Sequence, residues 1–211
     1  GAFLCVLGCY ACSSPKTEVQ SPDGHIKMTL TVDENGKPFY NVSVDDSLLI
    51  ENSAMGFTAA NGIILAEGFQ VKNTTFSSED ETWTQPWGEN KKNRNHYNEM
   101  AVNLTNEEHV QLTLRFRVFD DGIGFRYEYT VPTVDSLLIT DELTTFRFHR
   151  DGTSWSIPAS AETYELLYQQ QPISEVETAN TPFTFKTADG VYGSIHEAAL
   201  YDFPEMTLKQ I

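Results

Sequence analysis

The sequence predicts an all-β domain built as an antiparallel β-sandwich, and three observations support this prediction. Apolar and polar residues alternate along several short segments, as they do in strands with one buried face. Short polar turns containing Asn-Gly or Asp-Gly connect these segments in pairs. No segment shows the apolar period of a long helix. Successive strands joined without intervening helices favour sheets that pack face to face.

Three β-hairpins are predicted in chain order. In each, alternating segments flank a turn whose Asn-Gly or Asp-Gly pair tolerates the positive φ that tight hairpins need. They span residues 25–44, 112–131 and 183–195, with turns at residues 33–36, 120–122 and 189–190.

Two polar, aromatic stretches, residues 82–89 and 94–99, are predicted to be ordered loops on the sandwich. Their aromatic rings are suited to stacking on sugars, with acids and amides nearby to bind hydroxyl groups. Large aromatics also fill cores and fasten loops, and the charged residues here are sufficient for a buried ion pair. The candidate substrate-binding or domain-interface residues are Trp87, Glu89, Arg94, Asn95 and Glu99.

Length and charge limit the function. The 211 residues are enough for one large domain. Because 30 acidic residues outweigh 14 basic ones, giving a net charge of −16, nucleic acid is not an expected partner. No glycine-rich phosphate loop, nucleophile with a base or diagnostic carboxylate pair is present, so no catalytic residue is assigned.

The first 17 residues are interpreted as the remnant of a secretory or lipoprotein signal, and residues 18–211 as one domain. An apolar stretch too short to cross a bilayer gives way to small polar residues, which is typical of exported proteins. The sequence from Val6 to Cys9 resembles a lipoprotein cleavage box, which makes Cys9 a candidate lipidation site; an ordinary signal peptide is the alternative. Any membrane contact is expected through this anchor only.

His196 and Glu197 directly follow a predicted strand, so the Glu197 carboxylate is placed to leave the sheet. A calcium site needs about 6–8 oxygen ligands, and one glutamate must therefore be completed from elsewhere. His196 is expected to be a hydrogen-bonded structural histidine. The five histidines lack the spacing of a zinc site.

Several separated motifs resemble the amino-terminal domain of family 97 glycoside hydrolases, which include a starch-utilisation α-glucosidase and related α-galactosidases. The resemblance extends from about Glu18 to the end of the sequence. The motifs are Trp87-Gly88-Glu89, residues 94–99, residues 116–127 and residues 196–200.

The resemblance implies a β-super-sandwich like that of galactose mutarotases, followed in the family by a catalytic barrel. It implies an exo-acting, calcium-dependent α-glycosidase in which Glu197 contributes one calcium ligand. The other ligands and both catalytic carboxylates would lie beyond Ile211, as would the last sandwich strands. The implied partners are an oligo- or polysaccharide and the chain's own barrel, in the periplasm or at the outer membrane of a Gram-negative bacterium.

Two other functions are compatible with the sequence. A stand-alone carbohydrate-binding surface lipoprotein would explain the leader and the aromatic stretches. A sugar mutarotase is suggested only by analogy of fold, since such sandwiches are shared with aldose epimerases. Anomer interconversion by the isolated protein would distinguish the mutarotase.

Overall fold

The structure is a computed structural model that describes residues 17–132, 134–163, 165–201 and 203–211. Cys9 and nearly all of the predicted leader lie outside the described residues. Strands dominate the described chain, together with two short 3-10 helices at Ala60–Gly62 and Ile173–Glu175. The strands are β1 (Glu18–Gln20), β2 (Ile26–Val32), β3 (Pro38–Val44), β4 (Ser47–Ala54), β5 (Phe57–Ala59), β6 (Ile64–Leu65), β7 (Gln70–Thr84), β8 (Lys92–Thr105), β9 (Gln111–Phe119), β10 (Gly122–Thr130), β11 (Ile139–Glu142), β12 (Gly152–Ser156), β13 (Gln169–Pro172), β14 (Thr178–Asn180), β15 (Phe183–Thr187), β16 (Tyr192–Ile195) and β17 (Thr207–Lys209).

The described chain forms two compact units, one ending at Arg147 and the other beginning at Phe148. No linker or change of composition marks this division in the sequence, which is why the sequence suggested one domain over residues 18–211. No helix among the described residues has the length and apolar character needed to cross a membrane.

The first unit contains three antiparallel sheets, with strand orders β1-β2-β3-β4, β10-β9-β8-β7 and β11-β5-β6. The predicted hairpins at residues 25–44 and 112–131 are confirmed as β2–β3 and β9–β10. In the second hairpin, Gly122 pairs with Phe119, so a two-residue turn connects the strands. The all-β antiparallel fold is therefore confirmed.

The core of the first unit lies between its two four-stranded sheets. Alternate residues of β2, β8 and β9 are almost fully buried, as a strand with one inward face requires. The rings of Tyr40 on β3 and Phe125 on β10 lie 5.7 Å apart and connect the two sheets. The buried residues include Met28, Leu30, Met100, Val102, Leu104, Leu112, Leu114, Phe116 and Val118.

The prediction of ordered loops at residues 82–89 and 94–99 is confirmed only at residues 85–89, which lie in a turn; residues 82–84 and 94–99 belong to paired strands. Strands β7 and β8 pair along almost their whole length, from Gln70 with Thr105 to Thr84 with Lys92, and only residues 85–91 form the turn. Strand β9 pairs with β8 only from Tyr97 onward, so residues 80–95 form a two-stranded ribbon that we call the arm. Both faces of the arm are largely exposed, which removes the apolar alternation by which strands are identified.

The second unit has a four-stranded sheet, ordered β13-β12-β15-β16, and a separate strand pair, β14-β17. The predicted hairpin at residues 183–195 is confirmed as β15–β16. Phe183 and Phe185 are buried, and the Phe185 ring meets that of Phe148 edge-on at 4.7 Å. This sheet positions Glu197, because Glu197 follows the end of β16 by two residues.

Candidate functional site

The tip of the arm presents Trp87 and Glu89 to solvent. Trp87 is 83% exposed, and Glu89 is exposed beside it in the same turn. The turn is held by the Gln85 side-chain amide, which donates to the backbone oxygen of Asn90 at 2.9 Å. Trp83, at the end of β7, is 52% exposed. A shallow hollow at the tip is lined by Thr84, Gln85, Pro86, Trp87, Gly88 and Lys91.

Arg94 and Asn95 pair with acids on the opposite strand of the arm. Arg94 donates two hydrogen bonds of 2.7 Å to the Asp80 carboxylate, and this pairing lowers the pKa of Asp80. Asn95 donates to Glu81 at 3.0 Å. Because successive residues point to opposite faces of a strand, the two pairs hold the ribbon together on both faces. These side chains therefore order the arm.

Glu99 lies in β8 and is only 8% exposed. Its carboxylate accepts from Arg115 at 2.5 Å and from Arg117 at 2.8 Å, both on β9. Burial would raise the pKa of Glu99, but the two guanidinium groups outweigh it and lower the pKa. The Arg117 guanidinium also lies 4.5 Å from the centre of the Tyr97 ring. Glu99 thus joins β8 to β9.

The ion-pair network continues to β10 through Glu128. Arg115 donates to both oxygens of the Glu128 carboxylate, at 2.8 and 3.1 Å, and Arg126 adds a bond of 2.8 Å. These partners lower the pKa of Glu128 to about 2, against a smaller opposing effect of burial. Charged side chains from three adjacent strands are therefore paired on one sheet face.

The five candidate residues of the first unit do not form one site. Trp87 and Glu89 are exposed at the arm tip, whereas Arg94, Asn95 and Glu99 are in structural pairs. The buried ion pair anticipated from the sequence exists, but its cations come from β9. Cross-strand register decides these partners, and the sequence pattern alone does not specify it.

Glu197 in the second unit has a different setting. It is half-buried and lines an open hollow beside His196, whose Nδ1 lies 2.8 Å from the Glu197 backbone oxygen. One carboxylate oxygen accepts from the Thr181 hydroxyl and the other from the Met206 backbone N–H. The hollow is lined by Thr181, Pro182, His196, Glu197, Leu200 and Glu205.

The Glu197 carboxylate is set to remain ionised. Burial would raise its pKa, but the hydrogen bonds from Thr181 and from the Met206 backbone outweigh burial and lower it. Thr181 and Met206 were not identified from the sequence, because both belong to other strand ends that only the fold brings close. Both residues lie next to the ends of strand pairs, Thr181 before β15 and Met206 before β17. They could have been identified only if the strand pairing had been known.

The donor set at Glu197 fits a calcium ion only in part. A carboxylate oxygen is a ligand that calcium prefers, and each oxygen of Glu197 has lone pairs beyond the one used by its donor. Across the residues that the structure describes, no three His, Cys, Asp or Glu side chains cluster as a metal site. Glu197 can therefore supply one ligand to a site completed by other groups.

Comparison with known families gives a match over nearly all of the described chain. The family model described as glycosyl-hydrolase 97 N-terminal matches residues 19–211, and so covers both compact units.

Solved structures give a consistent result. A glycoside hydrolase family 97 enzyme from Pseudoalteromonas sp. strain K8, in complex with acarbose, is 37% identical with a TM-score of 0.85. A substituted form of that enzyme in complex with panose gives the same values. In both, the match covers 92% of this chain and 30% of the enzyme, so the chain spans less than a third of their length. A β-arabinopyranosidase is 24% identical with a TM-score of 0.77, and the match covers 87% of this chain and 31% of the β-arabinopyranosidase chain. At this identity the match shows a similar fold only.

Proposed function

The chain belongs to the family of glycoside hydrolase 97 N-terminal domains, and on this premise we propose that it serves as the amino-terminal domain of a calcium-dependent, exo-acting α-glycosidase. One fact supports a role within a longer enzyme: the chain spans only 30% of the similar enzymes. In this proposal, the catalytic acids belong to a further, barrel domain.

The observation that carries the proposal is that the Glu197 carboxylate is accessible, held in place and ionised. Its carboxylate lies at an open hollow, is held by two hydrogen bonds, and has a pKa below the ordinary value. A carboxylate that is ionised and held in place, yet accessible, is suited to bind a hard cation. Structural carboxylates such as Glu99 have cationic partners instead.

Within the proposal, Glu197 provides one calcium ligand at the edge of the catalytic pocket. When bound, the ion would supply charge that polarises the glycosidic region of the substrate. The chain's own part is to hold the carboxylate in one orientation through Thr181 and Met206, and to form one wall of the pocket. Neither function requires a catalytic acid, base or nucleophile in this chain.

For the substrate we propose α-glucosidic oligosaccharides. The enzyme that is 37% identical to this chain is found in complexes with the oligosaccharide ligands panose and acarbose, and this supports the proposal. An α-galactosidic substrate is the alternative within the family, and it has no comparable support here. The residues that would choose between them belong to the catalytic domain.

The tip of the arm is proposed to contact that catalytic domain. Trp87 is 83% exposed in the turn at the arm tip. The two strands that carry this turn are held together by the Arg94–Asp80 and Asn95–Glu81 pairs. Covering a large exposed indole with another protein surface is favourable, because it removes apolar area from water. Exposed aromatic side chains on rigid elements are typical of binding surfaces. Glu89 beside it can add a polar contact at the rim of such an interface.

The experiment that tests the function is hydrolysis by the whole gene product. Nitrophenyl α-glucoside and α-galactoside are assayed with and without a calcium chelator. The proposal predicts hydrolysis of the α-glucoside that chelation abolishes and added calcium restores. A gene product that binds oligosaccharides without hydrolysing them would contradict it and favour the carbohydrate-binding lipoprotein.

A further inference from the structure

We infer that Thr181 is a positioning residue for Glu197, holding the carboxylate in the orientation that metal binding requires. The inference rests on the proposed function, since it concerns the same carboxylate. It adds a residue that does not touch the metal or the substrate. Thr181 acts through the hydrogen bond that its hydroxyl donates to one oxygen of Glu197.

The sheet register explains why Thr181 reaches Glu197. Strands β15 and β16 pair with Phe183 opposite Ile195. Thr181 lies two residues before Phe183, and Glu197 lies two residues after Ile195, so both leave the sheet at the same end of the strand pair, where the Thr181 hydroxyl reaches the Glu197 carboxylate. Both lie just past the end of the ladder, where side chains can meet beyond the last strand pair.

A second strand pair, β14 with β17, ends next to the same threonine. Strands β14 and β17 pair with Asn180 opposite Thr207. Thr181 follows Asn180 and Met206 precedes Thr207 at this end of the pair, and the Met206 backbone N–H donates to the other oxygen of Glu197. Thr181 is therefore at the junction of two strand pairs, and Glu197 is held from both.

The chemistry of threonine suits this position. Its hydroxyl can donate to the carboxylate, and its branched Cβ restricts χ1, so the hydroxyl has few alternative directions. With one donor on each oxygen, the carboxylate plane is fixed before a cation arrives. The remaining lone pairs stay available at the hollow that Glu197 lines. A residue that orients a ligand in this way typically changes metal affinity by about 10–100-fold when it is removed.

The test is calcium titration calorimetry on the metal-free whole gene product. Thr181→Val removes the hydroxyl at nearly constant shape, and we expect it to weaken calcium binding by about tenfold. Thr181→Ser keeps the hydroxyl and is expected to stay near the native affinity. Thr178→Val, an exposed threonine on β14, is the matched control and is expected to leave the affinity unchanged.

Each outcome supports or overturns the inference. Native affinity in Thr181→Val, with weakened binding in Glu197→Gln, overturns the role of Thr181 and leaves the proposed function in place. Native affinity in Glu197→Gln overturns the assignment of Glu197 as a calcium ligand, and with it the role of Thr181, whereas the proposed function itself is tested by the chelator-sensitive hydrolysis. If Thr181→Val does not fold, Thr181→Ser and Thr181→Ala make the same comparison. Equal affinities in that pair overturn the inference, and tighter binding by the serine variant supports it.

Discussion

The guanidinium of Arg115 lies 2.5 Å from the Glu99 carboxylate, across the pairing of β9 with β8. Glu99 is 8% exposed and also accepts from Arg117 at 2.8 Å. A nearly buried carboxylate with two cationic donors is stable only while both donors remain. This relationship gives Glu99 a structural role in the sheet; the sequence offered it as a substrate-binding or domain-interface residue, with a buried ion pair as the alternative.

Replacing Glu99 is expected to destabilise the first unit. Glu99→Ala leaves Arg115 and Arg117 without their shared acceptor, and we expect a loss of about 2 kcal/mol in the free energy of unfolding. The loss is moderate because both guanidinium groups reach water. Urea denaturation measures it. Glu107→Ala, at an exposed turn, is the control and is expected to change stability by less than about 0.5 kcal/mol. Equal stability of the two variants would show that the ion pairs contribute nothing.

Acid sensitivity is expected to depend on Glu128. Its pKa is lowered from 4.5 to about 2 in the folded protein, first by the hydrogen bond from Arg115. A lowered folded pKa means that the contribution to stability is present above pH 4.5 and is lost as pH falls toward 2. In Glu128→Gln, the free energy of unfolding should therefore decrease less steeply with falling pH over that interval. Denaturation at several pH values measures the slope, and an unchanged slope in Glu128→Gln would contradict the assignment.

The turn of the first hairpin is expected to require glycine at position 36. Gly36 has φ of +74°, and a Cβ there would meet the backbone nitrogen of Phe69 and lie 2.6 Å from the carbonyl carbon of Gly68. Gly36→Ala is expected to cost at least about 3 kcal/mol, from backbone strain and overlap together. Gly24 has φ of +81° and open space around it, so Gly24→Ala should cost only about 1–2 kcal/mol. Thermal unfolding compares them, and equal midpoints would show that the overlap relaxes.

The arm tip is expected to be covered in the whole gene product. Lys91 and Lys92 lie in and beside the exposed turn, where trypsin can cleave. We expect native protein to resist cleavage there and Trp87→Ala to be cut several times faster, because the variant loses the apolar contact. Trp87→Phe, which keeps an aromatic ring, should retain most of the protection. The measurement is limited proteolysis followed by mass spectrometry. Equal cleavage of all three proteins would show that the tip remains in solvent.

The parts of the fold that the sequence predicted are those with local signals. Hairpins at residues 25–44, 112–131 and 183–195 combine alternating apolar and polar residues with short polar turns that contain glycine, and these signals do not depend on the rest of the chain. The arm had no such signal. Residues 80–95 are polar on both faces, so an exposed ribbon and a polar loop have the same composition.

The candidate site was predicted less completely, for a related physical reason. The position of Glu197 just after a strand followed from local pattern, and its role in metal binding followed from the family resemblance alone. Thr181, which determines its orientation, precedes it by 16 residues and is brought close because the pairing of β15 with β16 places both residues beyond the same end of the strands. The partners of Arg94 and Glu99 likewise depend on register. Such pairings are properties of the assembled sheet.

The most direct test is the calcium affinity of the metal-free whole gene product, measured by titration calorimetry for native protein, Glu197→Gln and the exposed control Glu177→Gln. We predict that Glu197→Gln weakens binding by more than about a hundredfold, beyond the loss expected for a partner that only orients a ligand, and that Glu177→Gln matches the native protein. Stoichiometric calcium binding with native affinity in Glu197→Gln would contradict the assignment of Glu197 as a calcium ligand.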